Sequence, residues 1–247
     1  MKKILLLACA LFSAMGLSAQ TYTENAGCDL GMKMIFVERG SFQRGSDEGE
    51  DNEKPVHSVT LSSYYIAECE VTQAQWKKIM GNNPSNYKGD DLPVTNVTWE
   101  DARNFCRELS RLTGKNYQLP TEAQWEYAAR GGKKGYGCLY SGSFAIDKVA
   151  WYDGNSGNRI HSVKQKQPNE LGLYDMSGNV WEWCQDWYGS YSSDSQTNPQ
   201  GPSSGSYRVL RGGSWSNDAQ YCRVSNRNNA TPSFGYSNNG FRVVCLP

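Results

Sequence analysis

Beyond Gly131 the sequence has no periodic pattern long enough for a helix, and this most limits the folds open to the chain. Apolar residues occur there in short runs, at residues 149–152, 180–183 and 208–211, separated by loops rich in Gly, Asn, Ser and Pro. The longest loop, residues 189–206, has no pattern of its own. The second half therefore predicts short strands joined by extensive irregular loops.

The composition shows how such a chain can build a core. Its 247 residues include 8 Trp, 15 Tyr, 7 Phe and 25 Gly. Aromatic side chains bury a large area each, which argues against disorder. The many glycines and the absence of heptads argue against a coiled coil. No repeat or linker divides the sequence, so we expect one α+β domain with few helices, short strands and extensive irregular loops.

Regular patterns are concentrated in the first half of the chain. Residues 34–37 and 40–42 predict two short strands around a turn. Residues 56–65 alternate apolar and polar side chains, which is typical of a half-buried strand. Between them, residues 47–54 are acidic and predict a solvated loop.

Three helix starts follow. Thr72 and Gln75 have the spacing of a capping box, which predicts a helix beginning after Thr72. From residue 98 apolar side chains recur at helical spacing until Gly114, which is expected to end that helix. Residues 120–130 contain the third helical start.

The N-terminus has the pattern of a signal peptide. Lys2 and Lys3 precede an apolar run over residues 4–17, and cleavage is expected after Ala19. A run this short does not predict an integral membrane protein; a lipoprotein signal ending at Cys9 is the alternative. The predicted division is a signal peptide at residues 1–19, an N-terminal segment at 20–32 and the domain at 33–247. We therefore expect export to the periplasm, the cell surface or the medium.

Charge and cysteine content exclude several functions. Lys and Arg total 25 and so do Asp and Glu, so no overall field favours nucleic acid. Only two histidines are present, which leaves little for a histidine metal site or a Ser-His-Asp triad. Seven cysteines would remain after export, an odd number. Cys106 is expected to be a buried, inert thiol. Cys28 and Cys245 could form a disulfide bond that joins the two ends of the chain.

Several motifs taken together resemble the formylglycine-generating-enzyme (FGE)-sulfatase domain family. They are Gly40-Ser41-Phe42, Glu70-Val71-Thr72, Pro93-Val94-Thr95-Asn96-Val97-Thr98-Trp99, Leu119-Pro120-Thr121-Glu122-Ala123-Gln124-Trp125-Glu126-Tyr127, Asn169-Glu170-Leu171-Gly172-Leu173-Tyr174-Asp175-Met176-Ser177-Gly178-Asn179-Val180-Trp181-Glu182-Trp183, Arg211-Gly212-Gly213-Ser214-Trp215 and Gly240-Phe241-Arg242. The resemblance covers about residues 33–245. It implies a single FGE-sulfatase domain with a fold related to C-type lectin-like domains.

The same resemblance argues against the catalytic activity of the family. Active oxidases of this family bind copper(I) through a cysteine pair, and two thiolates suit that soft ion. The first cysteine falls at Asn217 in this chain, the second at Cys222, while Ser214 and Trp181 match positions near the family's active site. Neither copper nor formylglycine formation is therefore expected. The iron-dependent sulfoxide-synthase branch needs a histidine-rich site, which His57 and His161 do not supply.

The resemblance also implies a structural calcium site. The matching positions are Asp175 and Glu182 as carboxylate ligands, with Gly178 and Val180 offering main-chain oxygens, and hard oxygen ligands suit Ca²⁺. The alternative is that Asp175 caps a turn and Glu182 pairs with an arginine. The sequence leaves both open.

The C-terminal segment has the composition of a binding surface. Between Trp215 and Asn239 it is rich in Asn, Ser and Tyr, residues that binding loops favour. It also resembles the variable region of proteins diversified by retroelements. The expected contact residues for a protein or glycan ligand are Trp181, Trp215, Ser216, Asn217, Asp218, Tyr221, Ser225, Phe234 and Tyr236. The main hypothesis is an exported, non-catalytic ligand-binding protein; the alternatives are a sulfatase-maturing oxidase and a copperless cell-envelope scaffold.

Overall fold

The structure is a computed structural model that describes residues 21–247, so the predicted signal peptide lies outside the described residues. Its strands are β1 (Thr21–Glu24), β2 (Met32–Val37), β3 (Gly40–Arg44), β4 (His57–Leu61), β5 (Tyr64–Ala67), β6 (Asn116–Gln118), β7 (Trp181–Trp187), β8 (Gln196–Thr197), β9 (Arg208–Arg211), β10 (Asn228–Ala230), β11 (Asn239–Gly240) and β12 (Val244–Leu246). Its α-helices are α1 (Gln73–Met80), α2 (Trp99–Thr113), α3 (Glu122–Ala129) and α4 (Asp153–Ser156). Short 3-10 turns lie at Asp51–Glu53, Gly132–Lys134, Ile146–Lys148 and Ala219–Cys222.

The first three helices begin where the sequence predicts them, because their start signals are local. In α1 the Thr72 side chain accepts from the Gln75 N–H, while the Gln75 side chain accepts from the Thr72 N–H. The same reciprocal capping box begins α2 and α3. Helix α2 ends at Gly114, whose φ of 72° is readily reached by glycine.

The strands form three sheets that bring distant parts of the chain together. The largest has the order β1-β2-β5-β12-β6, so the last strand lies beside strands from the first half. The second sheet is β10-β9-β7-β11, and the third is β3-β4-β8. Strand β1 pairs antiparallel with β2, so residues 21–24, which fall in the N-terminal segment expected at 20–32, contribute to the largest sheet.

Two expectations about strands and loops need correction. Residues 56–65 do not form one strand, because the chain turns at Ser62 and Ser63 and sends β4 and β5 into different sheets. The loop at residues 189–206 contains the short strand β8, which pairs parallel with β4. A two-residue strand has no alternating pattern to read, which explains why the sequence does not reveal it.

The core divides into two clusters of buried side chains. One packs α1 and α2 under the large sheet and stacks Trp76 on Phe105, with ring centroids 5.7 Å apart. The other surrounds α3, in which each residue is buried, including Trp125. The expected buried thiol, Cys106, belongs to the first cluster.

The cysteines described by the structure, residues 28 to 245, are free thiols. Cys28 is partly buried and packs against the cluster that contains Cys245. The two thiols are free, so the predicted disulfide bond between the chain ends is wrong. Strands β1 and β12 belong to the same sheet, where β1 pairs with β2 and β12 pairs with β5 and β6, so the sheet already holds these ends in place.

The acidic stretch at residues 47–54 is not wholly solvated. Glu53 is fully buried, and both its oxygens accept from the Arg223 guanidinium, at 2.6 and 3.0 Å. Although burial opposes ionisation, Arg223 and Ser225 hold the pKa of Glu53 below its ordinary value. The partner lies 170 residues away, beyond what a local charge pattern can indicate.

In the described part of the chain, no helix has both the length and the apolar character needed to cross a membrane.

Candidate ligand-binding site

An open cavity of about 380 Å³ lies between β7, β9 and β10 and the segment before β11; we call it the C-terminal cavity. Its described lining is uncharged and consists of amide, hydroxyl, aromatic and aliphatic side chains. The lining residues are Trp181, Tyr207, Leu210, Asn217, Asn228, Asn229, Ala230, Thr231, Tyr236, Asn238 and Asn239. An ion buried against this lining would find no counter-charge, so the cavity suits an uncharged ligand that forms hydrogen bonds.

The floor of the C-terminal cavity is held by a small hydrogen-bond network. Trp181, only 2% exposed, donates from Nε1 to Oδ1 of Asn217 at 2.9 Å. Ser214 donates from Oγ to the same oxygen. The amide nitrogen of Asn238 donates to the hydroxyls of Ser214 and Ser216, both at 3.3 Å. The structure therefore brings together Trp181 and Asn217, which line the cavity, and Ser214, which supports Asn217.

Asn217 and Cys222, the two positions that the sequence resemblance matches to copper ligands, do not fit a copper(I) centre. Cys222 is fully buried beside Tyr140 and Val149, and this burial raises the pKa of its thiol to about 12. The backbone at Gly213 packs so tightly on it that a Cβ there would lie 2.7 Å from Sγ. A neutral thiol and an amide oxygen already bonded to Trp181 cannot replace two thiolates.

Two aromatic rings lie on an anchored loop at the cavity, where Tyr236 belongs to the lining and Phe234 does not. Phe234 is 59% exposed and Tyr236 is 42% exposed, with ring centroids 6.5 Å apart. The Asn96 N–H donates to the Tyr236 carbonyl at 3.0 Å. A Cβ at Gly235 would lie 2.5 Å from the Asn96 carbonyl carbon, so this close approach requires glycine. The loop is therefore held against the body of the domain while its rings face solvent.

Two of the predicted contact residues lie away from the cavity. Trp215 does not line it; its ring edge packs near Tyr87, with centroids 6.4 Å apart. Ser225 is 4% exposed and lies 3.3 Å from the Arg223 guanidinium, within the Glu53 ion pair. Its role is therefore structural, because no ligand at the surface reaches a hydroxyl buried under an ion pair.

Three further predicted residues lie near the cavity but do not line it. Ser216 and Asp218 are exposed on the turn that follows Ser214. Tyr221 is half-buried and places its ring edge against Trp181, with centroids 6.4 Å apart. These positions suit contacts with a ligand larger than the cavity.

Sequence reasoning missed most of the cavity wall. Tyr207, Leu210, Asn228 and Asn229 come from β9, β10 and the residue preceding β9. The asparagine-rich composition was a usable signal, but it did not distinguish which amides face the cavity. Pairing of Asn228 with Leu210 across β9 and β10 decides that, and it depends on tertiary structure.

The four predicted calcium residues do not form a ligand shell in this arrangement. Both oxygens of Glu182 accept from the Arg242 guanidinium, at 2.6 and 2.7 Å, and one also accepts from Trp125 Nε1 at 2.8 Å. Asp175 accepts from the Lys164 N–H at 2.8 Å. The Val180 N–H donates to a carboxylate at 3.1 Å. The residues described contain no group of three or more acidic, histidine or cysteine side chains suited to a metal. Calcium at Asp175, Gly178, Val180 and Glu182 stays a prediction.

The carboxylate bound by Val180 is Glu70, which fixes the turn before β7. It accepts from the Asn179 side chain at 2.9 Å and from the Val180 N–H at 3.1 Å. Burial and the neighbouring charges of Asp175 and Glu182 raise the pKa of Glu70 well above its ordinary value. Burial also raises the pKa of Asp175 to about 6. The buried carboxyl groups of Glu70, Asp175 and Glu182 thus lie near one guanidinium, that of Arg242. A change in the charge of one member of this cluster therefore affects the others.

The architecture is a single α+β domain of the C-type lectin-like type, with short strands, few helices and extensive loops. A family model described as "Sulfatase-modifying factor enzyme 1-like domain" matches residues 20–246, so the chain belongs to the FGE-sulfatase family. The fold and family expected from the sequence are confirmed.

Three similar proteins show the range of the family around this chain. A solved structure, Treponema denticola variable protein 1, is 36% identical, with a TM-score of 0.85 over 92% of this chain and 99% of that one. The chaperone protein LppX of Paenibacillus barcinonensis is 34% identical over 85% of this chain and 87% of its own length. The formylglycine-generating enzyme of Streptomyces coelicolor is 32% identical over 83% of this chain and 86% of its own length.

Proposed function

We propose that this chain is an exported, non-catalytic member of the FGE-sulfatase family that binds a ligand at the C-terminal cavity. The observation that carries the proposal is the uncharged lining of amides and rings, in which Asn217 occupies the position of a copper ligand. Such a surface offers donors, acceptors and flat apolar area, but no carboxyl, imidazole, thiol or amine for acid–base or nucleophilic catalysis. A glycan or a peptide backbone has the matching chemistry.

The anchored rings of Phe234 and Tyr236 support the same proposal. Exposed aromatic residues on a fixed loop supply contact area at a small entropic cost, and a few such anchors carry most of the energy of a typical interface. Ser216 and Asp218, exposed next to the cavity, extend the surface a larger ligand would meet.

Removing both rings should abolish binding without unfolding the protein. The variant Phe234→Ala/Tyr236→Ala is expected to lose at least about 2 kcal/mol of binding free energy, the scale of interface hot spots. Its free energy of unfolding should change by less than about 1 kcal/mol, because both rings are exposed. A glycan array and a peptide library probed with the mature protein would supply the ligand for titration calorimetry.

Tyr136→Ala is the matched control, because Tyr136 is 82% exposed and does not line the C-terminal cavity. Equal affinity of the wild-type protein and the double-ring variant would contradict the binding face. A large loss of stability in the double-ring variant would show that the rings belong to the core.

The catalytic alternative makes a distinct prediction. We expect no conversion of a Cys-x-Pro-x-Arg peptide to its formylglycine form in the presence of copper and oxygen, because Cys222 is a buried neutral thiol and Asn217 replaces its partner. Mass spectrometry of the peptide measures this directly. Turnover clearly above that of a Cys222→Ala control would favour the oxidase instead.

The 36% identity to a protein named as variable supports a further part of the proposal, that the exposed C-terminal positions differ between isolates. Substitutions are expected to concentrate at exposed residues such as Ser216, Asp218, Phe234 and Tyr236, while the buried Phe241 stays unchanged. Sequencing this locus across isolates tests this. An even spread of substitutions along the chain would indicate a fixed binding surface or a cell-envelope scaffold.

A further inference from the structure

A second cavity, of about 470 Å³, lies over the sheet β3-β4-β8 and is open to solvent; we call it the sheet cavity. Residues from the start of β3, the ends of β4 and β8 and the turn at Gly132–Lys134 line it. The described lining shares no residue with the C-terminal cavity. Most of its side chains carry a hydroxyl group or a positive charge: Ser41, Thr60, Ser62, Thr197, Arg39 and Lys133.

Three of these side chains form a row across the strands, which we call the hydroxyl row. Ser41 of β3 is the antiparallel partner of Thr60 on β4, and Thr60 is the parallel partner of Thr197 on β8. All three residues are exposed, and the hydroxyls of Ser41 and Thr60 are hydrogen-bonded at 2.7 Å. Because neighbouring strands are about 4.8 Å apart, the row spans about 10 Å. It therefore offers a line of groups that both donate and accept hydrogen bonds.

The local structure holds the hydroxyl row on the solvent side of the sheet. Val59 and Leu61, on either side of Thr60, are buried in the core, so Thr60 points the opposite way. Asn198 joins the ends of β4 and β8, because its side chain accepts from the Ser62 N–H at 2.8 Å and donates to the Ser62 hydroxyl at 3.0 Å. The sheet itself therefore fixes the row, without help from a ligand.

Arg39, two residues before Ser41, supplies an accessible positive charge to the same cavity. The residue is exposed, and its backbone N–H donates to the Ser63 hydroxyl at 2.9 Å. Among residues 21–247, its guanidinium has neither a hydrogen-bond acceptor nor an ion-pair partner. A planar guanidinium offers parallel donors that match the two oxygens of a carboxylate. The donors that an anion needs are thus present and exposed at this position.

Lys133 adds a second cation, which Glu38 partly neutralises. The Lys133 ammonium lies 2.5 Å from Oε1 of Glu38, and the two side chains are 50 and 51% exposed. Exposed pairs of this kind contribute little to stability and are readily broken. Arg39, Lys133 and Glu38 together carry one net positive charge, and the described lining contains no acidic residue. The sheet cavity therefore attracts an anion.

We propose that the sheet cavity binds a carboxylate-bearing sugar, with the carboxylate on Arg39 and the sugar hydroxyls along the hydroxyl row. Sugar hydroxyls donate and accept as the row does, and the row is longer than a lone carboxylate or phosphate can cover. A cation would meet Arg39 and Lys133, and an apolar ligand would find only the buried Leu61. The described lining has no aromatic ring on which a nucleobase could stack. The sugar is either a free sugar acid or one residue of an acidic polysaccharide.

Titration calorimetry of the mature protein at low ionic strength tests this, with galacturonate, trigalacturonate, maltotriose and acetate as probes. Trigalacturonate is expected to bind at least about tenfold more tightly than maltotriose, because maltotriose lacks the carboxylates. Similar affinities for galacturonate and trigalacturonate would identify a free sugar acid, and much tighter binding of the trimer would identify an acidic polysaccharide. Maltotriose binding as tightly as trigalacturonate, or acetate as tightly as galacturonate, would contradict the proposal.

Substitutions at exposed positions test the individual contacts without disturbing the core. Arg39→Gln is expected to weaken trigalacturonate binding at least about tenfold, since it removes the charged donors. Thr60→Val removes the central hydroxyl of the row but keeps the side chain's shape, and is expected to weaken binding about threefold. Arg159→Gln is the matched control, because Arg159 is exposed and lies outside the described lining. It is expected to bind as the wild type does.

Glu38→Gln is expected to change the affinity in the opposite direction. Removing this carboxylate frees Lys133 for the ligand, so trigalacturonate should bind about threefold more tightly. A purely structural role of the pair would not produce this gain. Weaker binding in folded Glu38→Gln overturns the proposal, as does unchanged affinity in folded Arg39→Gln. Failure of both sugar acids to bind the wild-type protein at millimolar concentration overturns it as well.

The double-ring variant distinguishes the sheet cavity from the C-terminal cavity. It is expected to bind trigalacturonate as the wild type does, because neither Phe234 nor Tyr236 lines the sheet cavity. Loss of trigalacturonate binding in this variant would place the sugar in the C-terminal cavity and overturn the proposal for the sheet cavity. Failure of Arg39→Gln to change affinity has no bearing on binding at the C-terminal cavity.

Discussion

Replacing Arg242 with methionine is expected to lower the free energy of unfolding by about 3–5 kcal/mol, because the change leaves a buried carboxylate without its counter-ion. Arg242 and Glu182 are both fully buried, and the guanidinium donates to both carboxylate oxygens. The side chain also donates to the carbonyls of Ala67 and Tyr174. Because a whole domain is stable by only about 5–15 kcal/mol, the midpoint of urea unfolding should fall sharply.

The double variant Arg242→Met/Glu182→Gln separates charge from packing. A neutral glutamine needs no counter-ion and its amide oxygen can still accept from Trp125 Nε1, so the second change should recover part of the loss. Arg111→Met is the surface control, since its pair with Glu108 is exposed and should leave the midpoint unchanged. A midpoint for Arg242→Met within error of the wild type would show that the ion pair does not support the fold.

The protein is expected to be more stable near pH 5 than at pH 8, by about 4 kcal/mol from Asp175 and Asp186 alone, because the two groups together lose about three pKa units of proton affinity over this range and one unit corresponds to about 1.4 kcal/mol. Burial raises the pKa of Asp175 from 3.8 to about 6 and that of Asp186 from 3.8 to about 7. The folded protein therefore binds these protons more tightly than the unfolded chain does, and Glu70, whose pKa is also raised by burial, acts in the same direction. Their stabilising contribution is complete below about pH 4 and is lost as the pH rises through 6 and 7.

Other carboxylates set the pH below which the protein loses stability again. The pKa values of Glu53, Glu122 and Glu126 lie below their ordinary value of 4.5, because arginine partners outweigh the effect of burial. Their contribution is present above pH 4.5 and is lost as the pH falls, so stability should decline again below about pH 4. Thermal melts across this range, in buffers of constant ionic strength, measure the expected maximum.

Isosteric variants identify the groups responsible for the loss of stability between pH 5 and pH 8. Asp175→Asn and Asp186→Asn each keep an oxygen that can accept the existing backbone hydrogen bond, from Lys164 and Glu122 respectively. Each should raise stability at pH 8 and flatten the slope between pH 5 and 8. A wild-type protein whose stability rises steadily from pH 5 to 8 would contradict the assignment to these two aspartates.

Expectations based on neighbouring residues agree well with the structure. Helices α1, α2 and α3 begin at Thr72, Thr98 and Thr121 because each threonine and the side chain three residues later satisfy each other's backbone N–H groups. The exposure of Phe234 and Tyr236 follows from their small, polar neighbours. Such signals act within one turn of chain, so no distant partner is needed to read them.

Expectations for residues whose partners lie far away in the sequence agree less well with the structure. Glu53 belongs to an acidic stretch, yet it is buried in an ion pair with Arg223. Ser225 belongs to a segment rich in exposed polar residues, but the same ion pair buries it. Cys28 and Cys245 do meet at one cluster, as their places near the chain ends suggested, without forming a bond.

By itself, then, the sequence determined the family, the α+β class and the starts of α1, α2 and α3, because each depends on residue identity or on contacts within a few residues. Tertiary structure alone decided that Glu182 pairs with Arg242, that asparagines from β10 face the C-terminal cavity, and that the hydroxyl row aligns across β3, β4 and β8. Those outcomes depend on which oppositely charged or hydrogen-bonding groups the sheet order brings within about 3 Å of each other. A buried charged group without such a partner would destabilise the fold.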